Sequence, residues 1–504
     1  LLRDQVVVQV KAAQRHQEDL AFAAQAGARA NQAGHHLELV GQRVVVGEGG
    51  GQRHAREPVG DLAFCRHGAG GQPLQVLRHE GVHAGHGGLV HRSVQQARLT
   101  DSTARLGQAA AARPALEQEL AAAYDSTYGS SEQRAAAVAQ FNEIKPTIVA
   151  VMNESFSDLS CFEQLQAAGY TGPAFYNSLP DTLVRGTMLA SVAGGGTANS
   201  EFEFLTGATT AFVGLGKIPY QLYQMNGVNS LAKDLKELGY TATAMHPQNP
   251  VNYHRDKIYQ QLGFGDFLSI GDFEGAPYYH AGVCDYATYD KILDLLRTDE
   301  APQFIFDVTM QNHGGYDYGT VPAEELTNYW VEGASEGANS ALNTYLTCIN
   351  ASDRDLEYFI NELRNIGRPV VLVFFGDHQP SAATTLNDEL YPQEDTASHA
   401  FRIYQSTYLV WANYEIAGNT ELNVYDTVGA NEIAAITLNK IGAPLTDYQK
   451  ALLATRSDVP TINVAGYLGA DGLRYDLESE DSPYASTIDK LQRMQYLEFA
   501  SKVQ

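Results

Sequence analysis

From Pro146 onward the chain alternates short apolar runs with stretches in which apolar residues recur every three or four positions. That alternation predicts an α/β domain with a largely parallel central sheet flanked by helices. Thr147 to Met152, Tyr240 to Met245, Phe304 to Met310, Val370 to Phe375 and Tyr408 to Trp411 read as buried strands, because they are mostly apolar rather than alternating. Ser230 is placed to cap a helix whose Leu231, Leu235 and Leu238 share a face, with Gly239 as its stop. Ser352-Asp353 reads as the opening of another, carrying Leu356, Phe359, Ile360 and Leu363 and ending before Gly367 and Pro369. The Ala/Gln/Glu-rich residues 106–143 predict a helical lead-in, and 441–504, with Leu452, Leu453, Ile462, Val464 and Leu468, predict a C-terminal appendage closing the domain.

Composition divides the chain near residue 105. The first part holds 9 of the 15 histidines and none of the 28 tyrosines or 6 methionines, and its only aromatics are Phe22 and Phe64. Glycine runs and the lack of large apolar side chains predict no stable core there, and the Arg/His/Gly/Gln bias is also what a displaced reading frame yields. His35, His36, His79, His83, His86 and His91 invite a metal-tract reading, but composition of this kind is weak support and no function is assigned to 1–105. The chain starts Leu-Leu-Arg-Asp-Gln, without an initiator Met or a secretory signal, which predicts a missing or altered native N-terminus.

The formal net charge of -25 argues against nucleic acid as a partner, since phosphate neutralisation needs clustered Lys and Arg. Cys65, Cys161, Cys284 and Cys348 form no C-x-x-C pair, excluding a disulfide scaffold and a cysteine-based zinc module. Apolar runs such as Pro369 to Phe375 fall far short of the roughly 18 residues a membrane helix needs.

Polar residues sit where the predicted strands end: Glu154, His246, His313 and Asp377-His378. In open α/β sheets the loops beyond the strands' C-terminal ends converge on one crevice, so these groups can meet despite their separation in sequence. Two carboxylates and an imidazole make an O/N site suited to Mn²⁺ or Mg²⁺. The alternative is that Asp377 caps a turn and His378 is a satisfied loop histidine. Gly194-Gly-Gly-Thr197 places three glycines before a hydroxyl and a helix-compatible run, a geometry that brings backbone N–H groups to an anion. A threonine hydroxyl attacks only if a metal or base activates it, which makes a metal-bound Thr197 the natural nucleophile. Arg255 can grip a phosphate, and His246 or His313 can donate to an oxyanion or protonate a leaving alkoxide. His254, His280 and His399 lack that placement and read as surface or packing residues.

Val151-Met-Asn-Glu-Ser-Phe-Ser157, Gly194-Gly-Gly-Thr-Ala-Asn-Ser-Glu-Phe202, Arg255-Asp-Lys-Ile-Tyr-Gln-Gln-Leu-Gly-Phe264, Thr309-Met-Gln-Asn-His313 and Phe374-Phe-Gly-Asp-His-Gln-Pro380 follow one another in a recognisable order. Together they resemble the extracellular catalytic domain of the lipoteichoic acid synthase and phosphoglycerol transferase family, a sulfatase-like branch of the alkaline phosphatase superfamily. The resemblance runs from about Lys145 to Lys440 and implies an alkaline-phosphatase-like catalytic domain over 144–440. It implies that Glu154, Thr197, Asp377 and His378 hold one Mn²⁺-like ion, with Thr197 the nucleophile, and that His246, Arg255, His313 and Tyr253 line a phosphoglycerol pocket. The implied reaction passes glycerophosphate from a phosphatidylglycerol-type lipid, through Thr197, to a glycerophosphate or glycolipid acceptor; water as acceptor makes the same site a phosphodiesterase. Family members carry membrane helices ahead of this domain, which implies a cell-membrane location with the catalytic part outside and an anchor that this sequence lacks. A sulfatase-like hydrolase is a rival, although no cysteine here begins the C-x-P-x-R motif and Thr197 cannot form its aldehyde. A non-catalytic phosphoglycerol- or lipid-binding domain is the other.

Overall fold

The structure is a computed structural model. It describes residues 113–316 and 320–503, together with the backbone of three strands, β1 (Val6–Gln9), β2 (His35–Val40) and β3 (Arg43–Glu48). The chain divides into two compact units, residues 1–108 and 109–504. In the first unit the strands pair antiparallel in the order β1-β3-β2; the expectations for the rest of 1–105, its histidines included, lie outside the described residues.

The second unit opens with α1 (Arg113–Tyr124) and α2 (Glu132–Ile144), and Ser131 caps α2 by accepting the Arg134 N–H. The core strands are β4 (Thr147–Asn153), β5 (Thr182–Leu189), β6 (Thr241–Met245), β7 (Asp266–Leu268), β8 (Gln303–Val308), β9 (Val370–Gly376), β10 (Gln405–Ala412) and β11 (Val424–Gly429). They form one sheet in the order β11-β5-β10-β9-β4-β8-β6-β7, parallel throughout except for β10, which runs antiparallel to both neighbours. The five runs read as strands all lie in it. β5, β7 and β11 went unread: β5 carries Arg185, Gly186 and Thr187, β7 has three residues, and β11 is half-exposed at the sheet edge.

Successive side chains of β4 point to opposite faces. Ile148, Ala150 and Met152 join one apolar cluster, and Val149 and Val151 join the other. The first face is covered by α3 (Thr197–Thr206), α4 (Leu231–Glu237) and α6 (Ile433–Lys440); the second by α7 (Asp285–Thr298) and α8 (Glu336–Asn365). Between α4 and α7 lies the short α5 (Arg255–Gln261). Each fully buried Leu or Phe in these layers contributes about 1.5–3 kcal/mol, so burying both faces holds the sheet rigid.

Ser230 caps α4 by accepting the Lys233 N–H, and Gly239 turns it off at φ 91°. The expected start of α8 at Ser352-Asp353 is corrected. The helix begins seventeen residues earlier, capped by Ser335, and Ser352 and Asp353 lie buried within it. Asp353 instead caps a neighbouring turn, its two oxygens accepting the Phe175 and Tyr176 N–H groups at 2.7 and 2.8 Å. A capping residue type was read at its usual position when it serves another segment.

Residues 441–504 belong to the second unit and add a helix at Asp447–Thr455, a small antiparallel sheet (Thr461–Asn463, Gly466–Leu468 and Arg474–Tyr475) and a helix at Ala485–Gln495. These pack around their own cluster of Tyr448, Leu452, Ile462, Tyr467, Leu491 and Met494. No helix of the described residues is long and apolar enough to cross a membrane.

Asp307 on β8 is wholly buried against α7, where it accepts the Thr288 hydroxyl at 2.6 Å. Burial, reinforced by the Asp285 charge, pushes its carboxyl up to about 8. The folded chain therefore keeps a proton that the unfolded chain releases near pH 4, and folding stability falls as pH rises from about 4 to 8. Asp307→Asn is expected to gain stability relative to the parent at pH 8 and far less at pH 5, measured by urea denaturation at both; equal differences at the two pH values would refute this.

Candidate functional site

Two strand ends and one helix start build the first arc of the site. β4 runs out at Asn153, and Glu154 follows in a turn where Ser155 has φ 54°; β9, its parallel neighbour, runs out at Gly376, followed by Asp377 and His378. Asp377 Oδ1 accepts the backbone N–H groups of Ser155 at 2.7 Å and His378 at 2.9 Å, tying the two ends together. A ligand atom from each of Glu154, Asp377 and His378 lies within 4.8 Å of the others, and all three residues are buried.

Thr197 arrives from the other side as the first residue of α3. Gly194, Gly195 and Gly196 precede it at φ 64°, 142° and 97°, and a Cβ on Gly196 would stand 2.6 Å from Val192 Cγ1, so only glycine fits that last position. Two clasps press this turn onto the Asp377 loop: Gly194 N–H donates to the Gln379 carbonyl at 2.8 Å, and the Ser200 hydroxyl donates to the Asp377 carbonyl at 2.6 Å. Thr197 Oγ1 then reaches Glu154 Oε2 at 3.4 Å. The four residues read as a metal set from the sequence are thus brought together.

The donor set fits a hard divalent ion. Asp377 Oδ2 and His378 Nε2 are both buried and lie 3.0 Å apart, so once the proton between them is displaced both face one point with a lone pair. His378 Nδ1 meets the Gln379 carbonyl at 2.9 Å; a carbonyl only accepts, so Nδ1 carries the proton and Nε2 is left for a ligand. Burial opposes a charge on His378, but Asp377 and then Glu154 outweigh it and raise its pKa to about 9. Burial and the Asp377 charge lift Glu154 to about 7. Burial works against Asp377 too, but the His378 charge and its hydrogen bonds hold it below the usual carboxylate range. A cation must displace the protons on Glu154 and His378, so its affinity is expected to climb between pH 6 and pH 9, read by Mn²⁺ titration; a flat profile would refute that assignment.

The residues expected to face a phosphate form a second arc. His246, at the end of β6, is buried, and its Nδ1 donates to the Val308 carbonyl at 2.9 Å. Burial and the nearby Arg255 drive its pKa well down, so it is neutral with Nε2 an acceptor. Of the two histidines expected to donate to an oxyanion or a leaving alkoxide, His246 is thus set to accept instead, which leaves that part to His313. Arg255 is buried at the start of α5, and its Nε and Nη2 donate to Glu201 Oε1 at 2.9 and 2.5 Å. Part of the fork expected to grip phosphate is therefore taken, which leaves Nη1 outside the pair.

Glu201 and Tyr259 were missed in the sequence. Glu201 lies four residues after Thr197 on α3, and the Tyr259 hydroxyl donates to its Oε2 at 2.7 Å. The i, i+4 spacing was the available signal. Tyr253, at φ 54°, presents its ring 5.0 Å from the Arg255 guanidinium carbon. His313 is half-buried and acts electrostatically on both Glu154 and His246, which puts it between the two arcs. His280, read as a packing residue, stacks on Tyr316 at 5.4 Å and donates through Nε2 to the His313 carbonyl at 3.1 Å, so it braces that loop.

The family model described as Sulfatase matches residues 146–432, more than half of the chain. The chain belongs to the sulfatase family. The matched span of this sulfatase-family chain contains every residue of both arcs. Among curated relatives, a Rhizobium meliloti (strain 1021) protein whose name refers to cyclic beta-1,2-glucan modification is 30% identical over 254 residues, covering 50% of this chain and 38% of the relative. The capsular polysaccharide biosynthesis protein RkpI of the same organism is 25% identical over 244 residues, 47% of this chain and 42% of the relative. The chain thus spans less than half the length of these relatives. Among solved structures, the Streptococcus pyogenes phosphoglycerol transferase GacH in complex with sn-glycerol-1-phosphate shares the fold, with a TM-score of 0.53 and 22% identity, covering 75% of this chain and 92% of that one.

Proposed function

We propose that this sulfatase-family chain is a metal-dependent phosphoglycerol transferase of the cell envelope that acts on a phosphatidylglycerol-type lipid through Thr197. The observation that carries this reading is the Thr197 hydroxyl, fixed at the start of a buried helix 3.4 Å from Glu154 and clasped against the Asp377-His378 loop. Glu154, Thr197, Asp377 and His378 would hold one Mn²⁺ or Mg²⁺ ion, a set without thiolate. When bound, such an ion neutralises charge on phosphoryl oxygens and lowers the pKa of the threonine hydroxyl.

The chain's own residues divide the remaining work. Arg255 Nη1 binds a phosphoryl oxygen, with Nε and Nη2 fixed by Glu201 so that the guanidinium does not reorganise. Neutral His246 accepts a hydrogen bond from a glycerol hydroxyl through Nε2, and Tyr253 packs beside the glycerophosphate. Thr197 Oγ1 forms a bond to phosphorus while the bond from phosphorus to the diacylglycerol oxygen breaks. The threonine proton passes to Glu154 along their contact, and the leaving oxygen takes a proton from His313. The acceptor hydroxyl then attacks phosphorus and gives its proton to His313, while the bond from phosphorus to Thr197 Oγ1 breaks and Thr197 takes its proton back from Glu154.

The glycerophosphate in the GacH complex supports this donor group, and the names of the Rhizobium relatives support a glycan-bearing acceptor. In this reading the site faces a membrane surface from outside the cell. Intact-mass and peptide analysis after incubation with Mn²⁺ and phosphatidylglycerol is expected to find one glycerophosphoryl group on Thr197. Diacylglycerol release with the adduct on another residue would sink the nucleophile assignment.

A further inference from the structure

Beneath the two arcs lies a knot of polar side chains that the reaction above does not use. Asn153, Asp285, Thr309, Gln311, Asn312 and Ser352 are all fully buried, beside a layer of apolar side chains. Buried polar networks give less stability than apolar packing of the same volume, so their retention asks for another reason. Their neighbours in the chain supply one: Asn153 precedes Glu154, and Asn312 precedes His313.

We propose that Ser352 and Asp285 are positioning residues that lock the Glu154 end of β4 to the His313 loop, so that cation affinity depends on a hydroxyl buried midway along α8. The inference rests on the metal reading given above. Asn153 Nδ2 donates to Asp285 Oδ2 at 2.7 Å, and its Oδ1 accepts Asn312 Nδ2 at 3.0 Å, bridging both loops. The Ser352 hydroxyl donates to the same Asp285 oxygen at 2.5 Å and accepts from Asn312 Nδ2 at 2.8 Å and Gln311 Nε2 at 3.1 Å. Gln311 Oε1 returns to the Asp285 backbone N–H at 3.1 Å. Thr309 completes the link by accepting the Glu154 backbone N–H at 3.1 Å. Ser352 thus has its one donor and both acceptor positions committed, and no apolar side chain of that size keeps all three partners paired.

The adjacent residue provides the control. Asp353 is also buried on α8, but its oxygens hold the Phe175 and Tyr176 N–H groups and touch none of this network. Ser352→Ala is expected to weaken Mn²⁺ binding, followed by loss of the free-ion EPR signal, by roughly 10-fold, the low end of what losing a partner of a metal ligand costs, because Ser352 acts through Asp285 and Asn153. Asp353→Ala is expected to lower the melting temperature while leaving Mn²⁺ affinity within about twofold of the parent. Ser352→Cys, which keeps the volume and a weak donor, is expected to fall between parent and Ser352→Ala, and it serves if the alanine variant does not fold. Parent-like Mn²⁺ affinity in folded Ser352→Ala or Ser352→Cys, or an equal loss in Asp353→Ala, overturns the coupling and leaves the metal reading standing. A parent that binds no Mn²⁺ overturns both.

Discussion

Thr197→Ala is expected to lower glycerophosphate transfer by on the order of 10⁴-fold or more, since removing a nucleophile leaves only binding and charge stabilisation by the rest of the site. The fold tolerates the change. Thr197 is the first residue of α3, its cap position is held by Gly196, and the clasps at Gly194 and Ser200 do not involve its side chain. Mn²⁺ binding is expected to persist, because Glu154, Asp377 and His378 remain. Thr197→Ser keeps a hydroxyl and is expected to retain activity well above the alanine variant. The readout is diacylglycerol release from phosphatidylglycerol in saturating Mn²⁺, with the EPR titration alongside. An alanine variant with near-parent turnover would remove Thr197 from the reaction.

Glu201→Ala is expected to destabilise the domain by about 3–5 kcal/mol, because it strands the Arg255 charge in the interior. Arg255 and Glu201 are 2% and 0% exposed, and the pair raises the Arg255 pKa against the pull of burial. Urea denaturation measures the loss. Glu201→Leu combined with Arg255→Met is expected to recover most of it, since an apolar pair of similar volume avoids desolvating two charges. The same double variant is expected to keep the raised KM of Arg255→Met. Stability regained with substrate affinity still lost separates the role of Arg255 toward phosphate from its role in the core. If the double variant binds glycerophosphate like the parent, Arg255 is structural only.

The strand runs were legible because a sheet covered on both faces needs uninterrupted apolar segments, and Val370 to Phe375 offers nothing else. The meeting of Glu154 with Asp377-His378 was legible for a related reason: these are charged groups placed immediately after such runs. Thr197 was legible through its three glycines, whose positive φ values the structure requires. Strand β5 and the edge strand β11 were not, since Arg185, Thr187, Tyr425 and Asp426 break the apolar pattern at positions that meet solvent or the C-terminal elements. Nor was the beginning of α8, because Ser352-Asp353 is a capping pair by type and a buried tertiary contact by position. Glu201 and His246 illustrate the remaining gap. Sequence reveals that an arginine or histidine stands near a strand end, but only packing reveals that a glutamate takes two of the guanidinium nitrogens or that a carbonyl fixes the tautomer.

The central claim, that one divalent ion gathers Glu154, Thr197, Asp377 and His378, is tested most directly by anomalous diffraction from crystals grown with Mn²⁺. The account predicts a single strong peak at the manganese edge within coordination distance of a carboxylate oxygen of Glu154, the Thr197 hydroxyl, Asp377 Oδ2 and His378 Nε2. A peak elsewhere in the chain, or none among these four side chains at saturating Mn²⁺, would contradict it.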